Sequence, residues 1–171
     1  DQLQGKSTEL DAQLESLRNA GTKETQLNDA LLAAHKAWRN AAQTLRIERL
    51  RAADALSETV TGLLAELGMA GGRFAVELED NPESLPQSHG LERCEFMVSA
   101  NPGQPMRALR KVASGGELAR ISLAIEVASL GSDPVPTMVF DEVDAGIGGA
   151  VAETVGRKLR ALGGRCQVLA V

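Results

Sequence analysis

Aromatic rings are scarce in this sequence: 2 % of its residues, with three Phe, one Trp and no Tyr. That argues against a single-strand nucleic-acid binder that stacks bases on rings. Cysteine is scarce too. Cys94 and Cys166 are the only two, far apart and without metal-ligand spacing, so they read as reduced, mostly buried thiols of a cytosolic protein. No apolar run reaches the length of a bilayer span, and the opening residues do not read as a secretory signal. Positive charge is not in excess: 18 Lys and Arg face 23 Asp and Glu, for a net charge of −5. Any DNA-binding surface must then be local, or lie elsewhere on a larger molecule.

What is present is ordinary for a globular chain, with 43 % apolar and 24 % charged residues over 171 positions, about one domain. Both ends read as cut. Asp1-Gln2-Leu3 has mid-helix chemistry, and Val171 falls inside an apolar strand. The expectation is a fragment.

Residues 1–67 carry helical periodicity. Leu3, Leu10, Leu14 and Leu17 share a face at heptad spacing. Ala20-Gly21-Thr22 predicts a break, and a second helix is expected from Lys23 to Leu67. Its Leu27, Leu31, Ala34, Trp38, Ala41 and Leu45 recur at fours and threes, as in a coiled-coil seam. The seam resumes after Ala52 as Leu56, Val60, Leu63 and Leu67, and the join reads as a stutter. Roughly 45 residues give a rod of about 65 Å, with a narrow stripe that needs a partner helix. The plainer alternative is a helix lying on its own globular domain.

Gly68, Gly71 and Gly72 end that helix, and the period then changes to two. Phe74, Val76 and Leu78, then Cys94, Phe96 and Val98, alternate with polar neighbours and predict two half-buried antiparallel strands. The stretch from Asp80 to Gly90, with Pro82 and Pro86, reads as an exposed loop, and Asn101-Pro102-Gly103 as a turn. From Val112 onward the pattern is α/β. A helix over Glu117–Leu130 places Leu118, Ile121, Ile125 and Ala128 on one face, and Gly131-Ser132-Asp133-Pro134 stops it. Thr137–Phe140 is a buried-strand candidate. A helix over Gly149–Leu162 aligns Ala152, Val155, Leu159 and Leu162, and Gln167–Val171 is a further strand, parallel to the first.

Two motifs carry chemistry. In Ala113-Ser114-Gly115-Gly116-Glu117-Leu118-Ala119-Arg120, a Ser and two glycines stand at a helix start. The hydroxyl can donate, the glycines admit a phosphate to the backbone, and the helix dipole turns its positive end there. An ordinary Ser N-cap with a glycine turn would read the same way. In Thr137-Met138-Val139-Phe140-Asp141-Glu142, an apolar strand delivers adjacent carboxylates at its carboxyl end, where open α/β sheets bind ligands. One carboxylate can hold Mg²⁺ and the other can orient an attacking water. A strand that merely ends in Asp-Glu is the plain alternative.

Both motifs in this order, with the run Asn101-Pro102-Gly103-Gln104-Pro105-Met106 before them and Val143-Asp144-Ala145-Gly146-Ile147-Gly148-Gly149 after, resemble the RecN family. These are bacterial DNA-repair ATPases of the SMC-like (structural maintenance of chromosomes) ABC superfamily. The resemblance is close over residues 91–171 and one of kind over 1–90. It implies an α/β fold (α+β at its N-terminal side), with residues 1–67 as the returning coiled-coil arm and 68–171 as the C-terminal lobe of an ATPase head. By position, Asp141 resembles the Walker B magnesium residue and Glu142 the catalytic base. Ser114, Gly115, Gly116 and Glu117 resemble the signature loop, and Asp144 the D-loop acid. The implied ligands are ATP and Mg²⁺. The implied partners are the N-terminal half of the same head, a second head in a homodimer, and DNA through the full-length protein, with no membrane. The implied setting is the bacterial cytoplasm at the nucleoid, in repair and recombination of damaged DNA. The P-loop is expected in the N-terminal half and the switch histidine just after Val171; His35 and His89 read as solvated. Another SMC-type ATPase, or a non-catalytic structural coiled-coil protein, are the competing readings.

Gly5-Lys6-Ser7 imitates the end of a P-loop but lacks a preceding apolar strand. Basic clusters at Arg46, Arg49 and Arg51, at Arg107, Arg110 and Lys111, and at Arg157, Lys158 and Arg160 read as solvated faces, with no DNA contact assigned.

Overall fold

A computed structural model describes residues 2–80, 86–112, 114–129 and 135–171. Expectations placed on Asp1, Pro82, Ala113, Leu130 and residues 131–134 lie outside these, as does the side chain of Leu3. The chain divides into two compact units, Asp1–Leu45 with Glu83–Leu91, and Arg46–Pro82 with Glu92–Val171.

Helix α1 runs unbroken over Gln2–Glu66, so the break expected at residues 20–22 does not occur. A mid-helix Gly costs only about 1 kcal/mol relative to Ala, too little to end so long a helix. The hydroxyls of Thr22 and Thr25 fold back onto the carbonyls of Arg18 and Gly21, each at 3.0 Å. The same continuity disposes of the P-loop imitation, since Gly5, Lys6 and Ser7 are helical.

Within the first unit, Leu10, Leu14, Leu17, Leu27 and Leu31 stand exposed. Of the expected seam Trp38 is covered, and beside it the covered positions are His35 and Ala42, each one residue past the expected Ala34 and Ala41. Trp38 donates its indole N–H to the Gln87 carbonyl at 2.9 Å, tying the helix to the returning segment. His35 is therefore half-buried rather than solvated, while His89 is exposed.

The second unit holds the core. Here Val60, Leu63 and Leu64 of α1 and Leu67 just after it are buried together with Met69, Phe74, Val98, Ile121, Leu123, Phe140, Val143, Val155 and Leu162. The helix ends in a Schellman arrangement: Met69 N–H bonds the Leu64 carbonyl at 2.9 Å, and Gly68 N–H the Ala65 carbonyl at 3.4 Å. Gly68 takes φ +80°, which glycine adopts without a Cβ penalty.

Strands β1 (Arg73–Asp80), β2 (Glu92–Ser99) and β3 (Arg107–Ala108) form an antiparallel sheet in that order, with Phe74 opposite Val98 and Val76 opposite Phe96, as their alternation predicts. The outer edge of β1 is met by side chains of α1. Phe74 N–H donates to Thr61 Oγ1 and Val76 N–H to Ser57 Oγ, each at 3.0 Å. Two hydroxyls thus satisfy backbone donors that an edge strand would otherwise leave open. Below them Arg46 pairs with Asp80, and Arg49 reaches the buried Glu92 at 3.3 Å. Arg51 pairs with Glu48, Arg110 with Glu95, Arg157 with Glu153 and Lys158 with Glu66. Six of the nine residues in the three basic clusters are thus engaged in ion pairs.

Helix α2 (Gly115–Ala128), strand β4 (Thr137–Phe140), helix α3 (Gly149–Gly163) and strand β5 (Gln167–Ala170) follow, and β4 and β5 are parallel. In α3 Val155 and Leu162 are buried, with Ala152 and Leu159 half-buried beside them, the face expected. Two expectations are corrected. Strand β4 is largely exposed, with Val139 63 % accessible, because among the described residues β5 is its sole strand neighbour. Cys94 is exposed and Cys166 half-buried, both free; Cys94 shares the face of Phe96 and Val98 on β2, and burial falls along that face from Val98 through Phe96 to Cys94.

Candidate functional site

The two motifs meet at one end of the α2–β4 pair. Helix α2 leads away from Ser114 and β4 returns to Asp141, so the helix start and the strand end become neighbours. Ser114 is the N-cap of α2, with extended backbone (φ −91°, ψ 122°), and its Oγ accepts the Glu117 N–H at 3.4 Å. The plain N-cap reading is thus realised. It does not compete with anion binding, since the hydroxyl proton and the Gly115 and Gly116 N–H groups are not used by that bond. Glu117 lies in the first turn, where its charge suits the helix dipole.

At the end of β4 the chain turns sharply. Glu142 has φ +56°, the one non-glycine residue with positive φ among those described. Strain of this kind concentrates at functional sites. It is held on both sides: Glu142 N–H donates to the Val171 carbonyl at 3.1 Å, and the Glu142 carbonyl accepts Ala145 N–H at 3.0 Å. Val143 is buried beneath the turn, while Asp141, Glu142 and Asp144 are exposed.

The contact between the motifs is close. A Cβ on Gly115 would overlap the Glu142 carboxylate. A Cβ on Gly116 would stand 3.0 Å from the Ala145 Cβ and 3.3 Å from the Glu142 carbonyl oxygen. The double glycine therefore lets the helix start lie against the strand-end turn, in addition to any service to a phosphate. Beside it a cleft of about 480 Å³ is lined by Gly115, Leu118, Ser122, Met138, Asp141 and Glu142, among others. Leu118, expected on the core face of α2, lines this cleft instead; the buried positions of the helix are Gly116, Arg120, Ile121, Leu123 and Ala124.

All seven candidate residues are thus at or beside one corner. Ser114, Gly115, Gly116 and Glu117 form the helix start, Asp141 and Glu142 the strand end, and Asp144 the turn beyond. Among the described residues no group of three or more acidic, His or Cys side chains could cage a metal. Asp141, at the end of β4 and lining the cleft, offers hard oxygen ligands at an open position. That suits Mg²⁺, which keeps waters and phosphate oxygens as its other ligands. The residue missed is Arg120, whose guanidinium is buried and donates to the Ala145 carbonyl at 2.8 Å. The available signal was a cation four positions after Gly116, on the apolar side of the helix.

No protein-family profile matches the chain. Among curated proteins it is 56 % identical over 160 residues to the DNA repair protein RecN of Xylella fastidiosa, covering 94 % of this chain and 29 % of that protein. It is 38 % identical over 162 residues to the RecN of Haemophilus influenzae, covering 95 % of this chain and 29 % of that one. The chain therefore spans under a third of the length of these relatives. Among solved structures, the Smc head domain with a coiled coil and joint from Pyrococcus yayanosii superimposes with TM-score 0.49 at 28 % identity, over 71 % of this chain and 22 % of that one. Among the described residues no helix is long and apolar enough to cross a membrane.

Proposed function

The chain belongs to the RecN family, and on that ground we propose that it is the C-terminal part of an ATP-hydrolysing, SMC-like DNA-repair protein, built from a coiled-coil arm (residues 1–67) and one lobe of an ATPase head (68–171). The observation that carries this reading is the corner itself: a Ser-capped, glycine-lined helix start against a strained strand end bearing Asp141 and Glu142.

In this reading Asp141 would hold Mg²⁺, which when bound neutralises charge on the phosphates. Glu142 would orient the attacking water and take its proton. Both serve the ATP on their own head, whose P-loop lies in the N-terminal half. Ser114, Gly115 and Gly116 would face the ATP of a second head, with the N–H groups and dipole of α2 directed at its γ-phosphate. Asp144 would stand at the head-to-head contact. Closure of two heads on two ATPs would drive the action on DNA breaks and in recombination, in the cytoplasm at the nucleoid.

The corner also gives Glu142 a resting place. With its carboxylate on Gly115, the anion-binding end of α2 is partly occupied by the chain's own acid, and an incoming phosphate displaces it. The test is Glu142→Gln in the full-length protein. Removal of a general base costs about 10²–10⁴ in rate, so turnover should collapse while ATP still binds. Near-normal turnover would overturn the assignment.

A further inference from the structure

We propose that Arg120 is a positioning residue that fastens the turn bearing Glu142 and Asp144 to the start of α2, so that the Ser114 loop and the backbone that carries Glu142 move as one body. The inference rests on the reading above and deepens it, because those two elements would serve different ATPs.

Three observations support it. First, Arg120 is 8 % exposed, and no carboxylate is within ion-pair distance among the described residues; its Nε is buried without a hydrogen-bond partner. A buried guanidinium without an acid partner is costly, and stability alone would favour an apolar side chain of similar length. Second, its one identified bond, Nη1 to the Ala145 carbonyl at 2.8 Å, falls inside the turn between Asp144 and Gly146. The Ala145 N–H already bonds the Glu142 carbonyl at 3.0 Å. Arg120, Ala145 and Glu142 thus form a hydrogen-bonded chain from the second turn of α2 to the backbone of the strained residue. Third, the helix touches the same turn through Gly116, where a Cβ would stand 3.0 Å from the Ala145 side chain. A bond on one side and a close contact on the other restrain the turn against sliding along α2.

The function of such a clamp follows from geometry. A phosphate arriving at Ser114 acts on the first turn of α2. With Arg120 in place, a displacement there carries the Ala145 backbone with it, and through the Ala145 N–H the Glu142 backbone from which the carboxylate projects. Occupancy of one ATP site is thereby transmitted to the acid of the other. Without Arg120 each ATP should still bind, since neither the P-loop nor Ser114 is touched, but Glu142 should be misplaced when the heads close.

The experiment uses the full-length protein with Arg120→Met, which keeps length and burial, and Arg120→Lys, which keeps the charge and one donor. A misplacement of the order of 1 Å can cost about 10²-fold. For Arg120→Met, kcat should accordingly fall about 10- to 100-fold while the KM for ATP stays within about 2-fold. Arg120→Lys should recover most of that loss. Hydrogen exchange should quicken at residues 143–147 in Arg120→Met and not across the rest of the head. A kcat for Arg120→Met within about 2-fold of the parent overturns the proposal. So does an equal loss in both variants with faster exchange throughout, the mark of a merely structural residue. If Arg120→Met does not fold, Arg120→Gln, polar but too short to span to the Ala145 carbonyl, decides: faster exchange confined to 143–147 supports the clamp, and unchanged exchange there overturns it. Glu142→Gln is run beside them. Normal turnover in Glu142→Gln refutes the functional reading itself, whereas a dead Glu142→Gln with an active Arg120→Met refutes only the clamp.

Discussion

Two stretches of α1 have similar leucine spacing and meet different fates. In the first, Leu17 is 72 % exposed and Leu27 61 %; in the second, Val60 and Leu64 are fully buried. Spacing alone decides that a helix has an apolar stripe. What covers the stripe is decided by distant residues: Phe74, Val98, Ile121 and Phe140 close over the second stretch. Under the arm reading proposed above, a helix from the rest of the full-length protein would cover the first. The two stretches should therefore differ sharply when mutated in this chain.

The largest effect is expected at Leu64. Leu64→Ala should destabilise the second unit by about 2–5 kcal/mol, the range for a buried Leu truncated to Ala, read as a fall in the midpoint of urea unfolding. A loss below about 1 kcal/mol would mean that the core does not close on this helix. Next is Thr61, whose hydroxyl accepts the Phe74 N–H. Thr61→Val keeps the shape and leaves a backbone donor unsatisfied, at a cost of about 1–3 kcal/mol. Neutral behaviour would show that water serves that edge equally well. The smallest effect belongs to the first stretch. Leu27→Ser should change stability by no more than about 0.5 kcal/mol, as for surface sites in general, and should instead weaken association of the arm in the full-length protein, read by sedimentation.

Much of the fold could be read from the sequence where neighbours in sequence are neighbours in space. The alternation at Phe74–Leu78 and Cys94–Val98 gave the antiparallel pair, and the order strand, helix, strand from Thr137 gave parallel β4 and β5. Gly21 misled because a glycine's cost is local while a long helix is held by many turns. The exposed face of β4 misled because an apolar run says nothing of which neighbours are at hand. At the site, the residue types and their order pointed to Ser114, Asp141 and Glu142. That Gly115 would receive the Glu142 carboxylate, and Arg120 the Ala145 carbonyl, depends on how α2 lies on the turn, a tertiary fact with no local signature.

In the function proposed above, the Ser114 loop and the Glu142 carboxylate, though in contact within one chain, would serve different ATPs. Ser114→Arg in the full-length protein tests it most directly, with ATP affinity and turnover measured together. The account predicts that each head still binds ATP with its parental affinity, while ATP-driven pairing of heads and hydrolysis are both lost. Loss of ATP binding by the mutated head itself would contradict it, because the loop would then act on the nucleotide of its own chain.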